Sequence, residues 1–256
     1  MKYLIVVSLI WAFSFGLIKT CLIGSLSGVD PTFVAWARMV IALPIFLPFL
    51  RWRRLPGAIA IRLVLIGAVQ YGVMYITYLQ AFRYLEAYQV ALFTIFTPLY
   101  VTLINDIHTR RFRPGSLGAA GLAVIGAAVI TYQSTSMKGI LTGFCLMQLS
   151  NLCFAYGQIE YKRLRPSFSH LKDHQIYGLL YLGAAVVTAM ATTLTGGWGS
   201  LAGLDLRQIG TLLYLGLLAS GLCFFWWNKG AVLTNAGTLA VFNNLKIPLA
   251  VAVSLL

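Results

Sequence analysis

The amino-acid sequence predicts an all-α protein that crosses a membrane several times. Hydrophobic residues make up 59% of the 256 residues and charged residues only 10%, whereas about 25% of the residues in a soluble domain are charged. Several apolar stretches reach the length of about 18 residues that a helix needs to cross a hydrocarbon layer about 30 Å thick. The basic residues cluster between alternate stretches, which is typical of a multi-pass membrane protein.

Nine transmembrane spans fit the apolar stretches in order. They cover residues 3–22, 32–50, 62–82, 86–105, 115–132, 139–160, 175–195, 208–228 and 236–256. The first span has the short basic start of a signal peptide, but no small-residue cleavage site follows and the apolar run continues to Ile23. We therefore expect this segment to remain on the chain as an uncleaved first helix.

The distribution of Lys and Arg sets the expected orientation. With the N-terminus in the cytoplasm, 13 of the 19 basic residues lie in inside segments and four lie in outside segments or at span ends. The remaining two, Arg38 and Lys246, lie within spans. Because positive charge collects on the cytoplasmic side, we expect a multi-pass protein of the inner (plasma) membrane with a cytoplasmic N-terminus. The net charge of +13 then reflects topology rather than a nucleic-acid partner.

No metal ion or cofactor is expected. The cysteines are Cys21, Cys145, Cys153 and Cys223. They lie in apolar stretches and form no CxxC pair, so neither a disulfide framework nor a zinc site is indicated. His170 and His174 are four residues apart, as in a zinc-binding helix, but Lys172 and Asp173 replace the HExxH pattern. The expected partners are the lipid bilayer and a small-molecule substrate.

Weak internal similarity relates the two halves of the chain. Shifts of 143, 149, 149 and 150 residues place Trp11 on Phe154, Gly67 on Gly216, Gly72 on Gly221 and Pro98 on Pro248. The matches keep the same order, and five spans separate each pair of copies. Because five is an odd number, the copies run through the membrane in opposite directions. Inverted repeats of this kind are typical of secondary transporters with a binding site near the midplane.

Several motifs resemble those of a known family. They are Trp11 to Phe15 (WAFSF), Arg38 after Pro31, the Gly67/Gly72 span, Thr97-Pro98-Leu99, the span 216–230 and Asn244 to Pro248 (NLKIP). Together they resemble the EamA-type transporters of the drug/metabolite transporter superfamily. The resemblance implies ten helices in two inverted five-helix repeats that export or import small metabolites.

The resemblance also implies a division of the chain. Residues 1–133 would form the first EamA-like repeat with five spans, and residues 138–256 the second with four. The copy of the fifth span would need roughly thirty more residues than the sequence contains. We therefore expect the second repeat to be incomplete here and a tenth helix to be missing.

Lys246 is the sharpest candidate for a binding residue. A lysine near the middle of a membrane helix costs about 2.5–3.5 kcal/mol to insert. All six acidic residues lie in loops or at span ends, so none is placed to neutralise it. Three placements are open: Lys246 faces an aqueous cavity and awaits a substrate carboxylate, it bonds to backbone carbonyls freed by Pro248, or its amine is deprotonated. Asn243, three residues earlier, shares its helical face.

The sixth span carries a stripe of polar residues. Gln148, Asn151, Ala155 and Gln158 follow one another at spacings of three or four residues, so they share one face of a helix. Lipid cannot satisfy amide groups, so the stripe points into the protein. It either lines a cavity or forms hydrogen bonds between helices, which contribute about 0.6 kcal/mol each on average.

Aromatic residues of three spans could enclose the apolar part of a ligand. They are Trp11 and Phe15 in the first span, Tyr71, Tyr75 and Tyr78 in the third, and Phe224 and Trp227 in the eighth. Aromatic walls suit ligands with an apolar body and a polar end. Trp and Tyr also mark the membrane interface, and Tyr78 and Trp227 lie nearer to span ends than Tyr71 and Tyr75 do.

Arg38 lies about two turns into the second span. Two placements are open from the sequence. The guanidinium group either faces the cavity or extends outward along the helix toward Asp30.

These observations predict a secondary transporter that moves a small polar metabolite, such as an amino acid or an organic acid, by alternating access. Lys246 and the amides would hold the polar end, while Pro98 and Pro248 would bend related helices. A channel is an alternative, but it would need a continuous polar pore. A membrane-embedded enzyme is another alternative, but it would need paired acids, a Ser/His set or metal ligands at depth. We expect no enzymatic activity.

Overall fold

The structure is a computed structural model, and it describes residues 2–23, 28–110, 137–234, 239, 242 and 243. Within these residues the chain is helical and contains no β-strand. The α-helices of the described part are α1 (Lys2–Leu17), α2 (Pro31–Ala42), α3 (Gly57–Gly67), α4 (Met74–Ala81), α5 (Ala87–Phe93), α6 (Thr97–Thr109), α7 (Met137–Leu164), α8 (Gly178–Thr195), α9 (Leu206–Leu213) and α10 (Cys223–Leu233). The predicted all-α fold class is confirmed.

Shorter helical segments lengthen or join the α-helices. The π-helical segments are Ile18–Ile23 after α1, Ala68–Val73 between α3 and α4, and Tyr214–Leu222 between α9 and α10. The 3-10 helices are Leu43–Ile45, Leu47–Phe49, Trp52–Arg54, Thr94–Phe96, Arg165–Phe168, Asp173–Gln175 and Gly197–Gly203. One of them separates α5 from α6, where Pro98 lies in the first turn of α6 and supplies no backbone N–H.

Seven helical segments of the described residues correspond to seven predicted spans. Six are long and apolar enough to cross a membrane: Tyr3–Ile23, Gly57–Ala81, Ala87–Thr109, Gly139–Phe168, Gly178–Thr195 and Leu206–Leu233. The seventh is the pair Pro31–Ile45 and Leu47–Arg54, which is bent by 43°. The predicted span 115–132 and most of the span 236–256 lie outside the described residues. The chain is thus a multi-pass membrane protein.

Acidic residues begin two of the membrane helices. The carboxylate of Asp30 accepts hydrogen bonds from the backbone N–H groups of Thr32, at 2.8 Å, and Phe33, at 3.3 Å, where α2 begins. Asp205 accepts from the N–H of Gln208 at 2.7 Å and caps α9 in the same way. These carboxylates satisfy N–H groups that have no partner within the helix. The capping role explains why both acids lie at span ends.

Glycines bring helices from the two halves of the chain into close contact. A Cβ atom on Gly67 would lie 1.9 Å from the carbonyl oxygen of Leu180 in α8, and one on Gly216 would lie 2.6 Å from Cγ2 of Ile41 in α2. Small residues permit such close approach of helices. Gly67 and Gly216 are related by the 149-residue shift. Their matching contacts support our proposal that residues 1–133 and 138–256 are inverted repeats.

Candidate functional site

A cavity open to solvent lies among helices from both halves of the chain, and its bounds enclose about 560 Å³ of empty space, including solvent at its mouth. Its lining residues are Trp11, Ser14, Phe15, Ile18, Arg38, Met74, Tyr75, Tyr78, Thr94, Thr97, Met147, Ser150, Asn151, Phe154 and Phe224. Nine of these fifteen residues are apolar or aromatic, and the other six have polar side chains. A mainly apolar cavity with a few polar groups is the usual form of a small-molecule site.

Aromatic rings from α1, α4, α7 and α10 form much of the wall. The ring of Trp11 lies 5.1 Å from that of Phe224 and 6.0 Å from that of Phe154, and the rings of Tyr75 and Phe224 are 5.6 Å apart. The indole N–H of Trp11 donates to the carbonyl oxygen of Ala219 at 2.8 Å. Ala219 belongs to the π-helical segment Tyr214–Leu222, and its carbonyl holds the indole ring in place.

Arg38 is the charged residue of the cavity wall and only 2% of it is exposed. Its Nε–H donates to Ser220 Oγ at 3.0 Å, and its Nη2 donates to the hydroxyl of Tyr75 at 2.6 Å. The guanidinium carbon also lies 4.2 Å from the centre of the Tyr75 ring. Nη1 is buried and finds no hydrogen-bond partner among the described residues. The arginine therefore lies within the protein and does not extend to Asp30.

The acidic residues leave the charge of Arg38 unneutralised. Four of them form ion pairs elsewhere: Asp30 with Arg83, Glu86 with Lys19, Glu160 with Arg163, and Asp173 with Arg165. All six acidic side chains belong to the described residues, and none of their ion pairs includes Arg38. Burying a cation without a counter-ion costs free energy, because the group loses its hydration.

Asn151 joins α7 to the break between α5 and α6. Its Nδ2 donates to the carbonyl oxygen of Phe93 at 2.8 Å, and its Oδ1 accepts from the hydroxyl of Thr97 at 3.1 Å. Ser150, the neighbouring residue, donates to the carbonyl oxygen of Met74 at 3.2 Å. These hydrogen bonds fix the positions of Asn151 and Ser150, which form an uncharged polar patch of the cavity wall.

A set of buried polar side chains lies next to the cavity, and we call Gln70, Tyr71, Tyr177 and Asn228 the hydrogen-bonded layer. Gln70 and Asn228 exchange two amide hydrogen bonds, at 2.9 and 3.2 Å. Asn228 also donates to the hydroxyl of Tyr71 at 2.9 Å, and that hydroxyl bonds to the hydroxyl of Tyr177. The layer therefore links the third, seventh and eighth predicted spans.

A second amide cluster lies beside this layer. The indole N–H of Trp227 donates to Oε1 of Gln158 at 3.0 Å, and Nδ2 of Asn243 donates to the carbonyl oxygen of Leu239 at 2.9 Å. Nδ2 of Asn243 also lies 3.5 Å from Oε1 of Gln158. The ring of Trp227 is 5.0 Å from that of Trp11, so the tryptophan supports the cavity wall from behind.

The predicted site residues fall into three groups. Those that line the cavity are Trp11, Phe15, Arg38, Tyr75 and Asn151. Those that lie outside its lining are Tyr71 and Trp227, which are fully buried, Asn243, and Gln148, whose Oε1 accepts from the hydroxyl of Tyr100 at 3.2 Å. Lys246 lies outside the described residues.

Sequence reasoning did not select several lining residues. They are Ser14, Ile18, Met74, Thr94, Thr97, Met147, Ser150 and Phe154. Thr94 and Thr97 are one turn apart and precede a proline, and polar residues beside a break in a membrane helix are a sequence signal for a cavity. Ile18, Met74 and Met147 have no such signal, because apolar residues occur throughout every span.

Comparisons with known proteins agree with the family resemblance. The model of the EamA-like transporter family matches residues 1–132. A crystal structure of a protein with 16% sequence identity superposes with a TM-score of 0.66 and covers 99% of this chain and 86% of that one. At this identity the likeness concerns the fold alone.

Relatives with assigned names match along the whole chain. A probable biotin transporter of Pseudomonas aeruginosa is 42% identical over 257 residues, which is 100% of this chain and 88% of the relative. The biotin transporter of Escherichia coli K12 is 41% identical over 256 residues, and that of Salmonella typhimurium is 40% identical; each match covers 100% of this chain and 84% of the relative. The chain belongs to the EamA-like transporter family and is a small-molecule transporter rather than an enzyme.

Proposed function

We propose that this protein carries biotin across the inner membrane by alternating access around the cavity. The observation that supports this substrate is the identity of 40–42% along the whole chain to proteins named biotin transporters. The sequence predicts a small polar metabolite such as an amino acid or an organic acid. Biotin, a monocarboxylic acid, belongs to the second of these classes.

The chemistry of biotin suits the cavity. Biotin has an apolar hydrocarbon chain between a carboxylate at one end and a fused ring system with a urea group at the other. The rings of Trp11, Tyr75 and Phe224 offer apolar area to the chain and the ring system. Arg38 and Asn151 offer polar groups on different helices. Phe15 completes our proposed set, and Lys246 stays a prediction.

The order of residues along the helices supports a location of the cavity in the outer half of the membrane. With the N-terminus in the cytoplasm, α3 and α4 run outward, and Tyr75 follows Tyr71 in that direction. Along α10, which runs inward, Phe224 of the cavity precedes Asn228 of the hydrogen-bonded layer. We propose that the cavity opens to the outside and that the layer separates it from the cytoplasm, so that the layer must part during transport.

Uptake by the purified chain in proteoliposomes tests the substrate. Tritiated biotin should enter at a saturable rate, and unlabelled biotin should compete while a panel of amino acids should not. Liposomes without protein are the control. Uptake of a panel member in preference to biotin would reject biotin as the substrate and leave the transporter assignment in place.

Counterflow tests the carrier mechanism against the channel alternative. Liposomes loaded with unlabelled biotin should accumulate labelled biotin transiently, because the unlabelled biotin inside competes with the label for the inward-facing site and so slows the exit of the label. A channel has no such shared site and would show no transient accumulation. The same measurement with and without a pH gradient shows whether protons drive the transport.

A further inference from the structure

We propose that Arg38 binds the carboxylate of the substrate, with Nη1 as the principal donor. The inference rests on the proposed function, because it assumes that the cavity is the binding site. It goes further by naming one residue and one chemical group of the ligand. It also assigns the orientation of the bound acid, whose carboxylate end lies between α2 and α4.

Arg38 carries a buried positive charge that no acidic side chain of the protein neutralises. A guanidinium group stays protonated in proteins, and Arg38 is almost fully buried. All six acidic side chains are described, and none pairs with it. No carboxylate of the protein therefore balances this charge, and an anion that enters the cavity could do so. A carboxylate is the smallest anionic group that an organic acid could bring there.

The hydrogen bonds of the guanidinium group leave one of its edges free to bind a ligand. Ser220 holds Nε, and the hydroxyl of Tyr75 holds one N–H of Nη2, so the plane of the group is fixed. Nη1 retains both of its N–H groups and Nη2 retains one. An edge formed by Nη1 and Nη2 can donate two parallel hydrogen bonds to one carboxylate. Arg38 is thus oriented in advance for an acid.

A purely structural role is the alternative to be excluded. Arg38 joins α2 to α4 and to the π-helical segment that contains Ser220. If it only holds these helices together, its loss would weaken the binding of every ligand equally. If it binds the carboxylate, its loss would weaken the binding of acids and spare neutral analogues. The test therefore compares an acid with its amide.

Binding to the purified full chain in lipid nanodiscs distinguishes the two roles. The ligands are biotin and biotin amide, together with octanoate and octanamide as a second pair. The variants are Arg38→Gln, Arg38→Lys and the control Arg62→Gln, whose side chain is exposed in the middle of α3. The wild type should prefer each acid that it binds over its amide by a factor on the order of 100.

Arg38→Gln should abolish this preference by weakening acid binding alone, and Arg38→Lys should retain part of it. Arg62→Gln should match the wild type. Equal losses for acid and amide, or an acid preference that survives Arg38→Gln, would overturn the proposal. If Arg38→Gln does not fold, the wild type and Arg38→Lys still test the proposal. A wild type that binds acid and amide equally well would contradict it.

The two proposals can fail separately. If the wild type ignores biotin but binds octanoate in a way that depends on Arg38, biotin is the wrong substrate and the role of Arg38 stands. If the Arg38 variants bind biotin as tightly as the wild type, biotin remains the proposed substrate and the proposed role of Arg38 is rejected. If neither acid is bound, both proposals fail.

Discussion

The cavity and the hydrogen-bonded layer are neighbours that share the third and eighth predicted spans, yet their polar groups are arranged differently. In the layer, Gln70 and Asn228 bond to each other through both ends of their amides. In the cavity, Arg38 keeps a nitrogen without a partner among the described residues. The polar groups of the layer satisfy one another, whereas Nη1 of Arg38, in the cavity wall, can still donate to a ligand.

Tyr71 and Tyr75 show how short the distance between the two regions is. They lie one turn apart and both are buried. Tyr71 bonds to Asn228 and Tyr177 within the layer, whereas Tyr75 bonds to Arg38 in the cavity wall. The partners supplied by other helices, and not the tyrosines themselves, decide which region each belongs to.

The largest expected effect comes from removing half of an amide pair in the layer. Asn228→Leu leaves the amide of Gln70 buried without its partner, which should lower the free energy of unfolding by about 2 kcal/mol. The double variant Gln70→Leu with Asn228→Leu removes both partners and should recover most of that loss. Thermal unfolding in nanodiscs measures both values. Additive losses would show that the two amides do not depend on each other.

A smaller effect is expected from crowding the layer without removing a group. A Cβ on Gly157 would lie 2.2 Å from Cβ of Gln70, so Gly157→Ala must displace that side chain. The expected loss of stability is about 1–2 kcal/mol. Gly210→Ala is the matched control, since nothing lies within 4 Å of its Cβ position. Equal unfolding temperatures for the two variants would contradict the contact.

On the cavity side, Trp11→Phe should act on the ligand more than on the fold. The substitution keeps an aromatic wall and removes the N–H that donates to Ala219. We expect biotin binding to weaken by about fivefold, because the ring that would face the ligand loses the hydrogen bond, worth about 1 kcal/mol, that fixes its position. Trp52→Phe, at an exposed tryptophan, is the control. Binding constants from titration in nanodiscs measure the difference, and unchanged affinity would argue against Trp11.

The smallest effect is expected at Gln148. The sequence places Gln148 on the stripe of Asn151, but in the structure its Oε1 faces Tyr100 and its Nε2 has no partner among the described residues. Gln148→Leu should leave biotin uptake within about twofold of the wild type. Asn151→Leu is the comparison and should reduce uptake strongly. A similar loss in both variants would bring Gln148 into the site.

Much of the architecture could be predicted because membrane helices leave a strong signal in composition. The charge of Arg38 and the amide of Asn151 also stood out, since few polar groups occur within spans. The division between cavity and layer could not be predicted. It depends on contacts between residues more than 100 positions apart, such as Tyr71 with Tyr177.

Local helix geometry limited the prediction as well. Regular spacing assumes 3.6 residues in each turn, but π-helical segments change the turn at Ala68–Val73 and Tyr214–Leu222. Tyr71 lies within one of these segments, and Trp227 follows the other. Helical periodicity alone therefore grouped both of them with residues that line the cavity.

If Arg38 binds the carboxylate of the substrate as proposed, its charge has a consequence for the electrical behaviour of the carrier. A carrier that returns empty carries that charge, whereas the same carrier with a bound monocarboxylate is locally neutral. Moving one charge through 100 mV changes the free energy by about 2.3 kcal/mol. An inside-negative voltage would thus hold the empty carrier in its inward-facing state. Net uptake would respond to voltage, and one-for-one exchange would not.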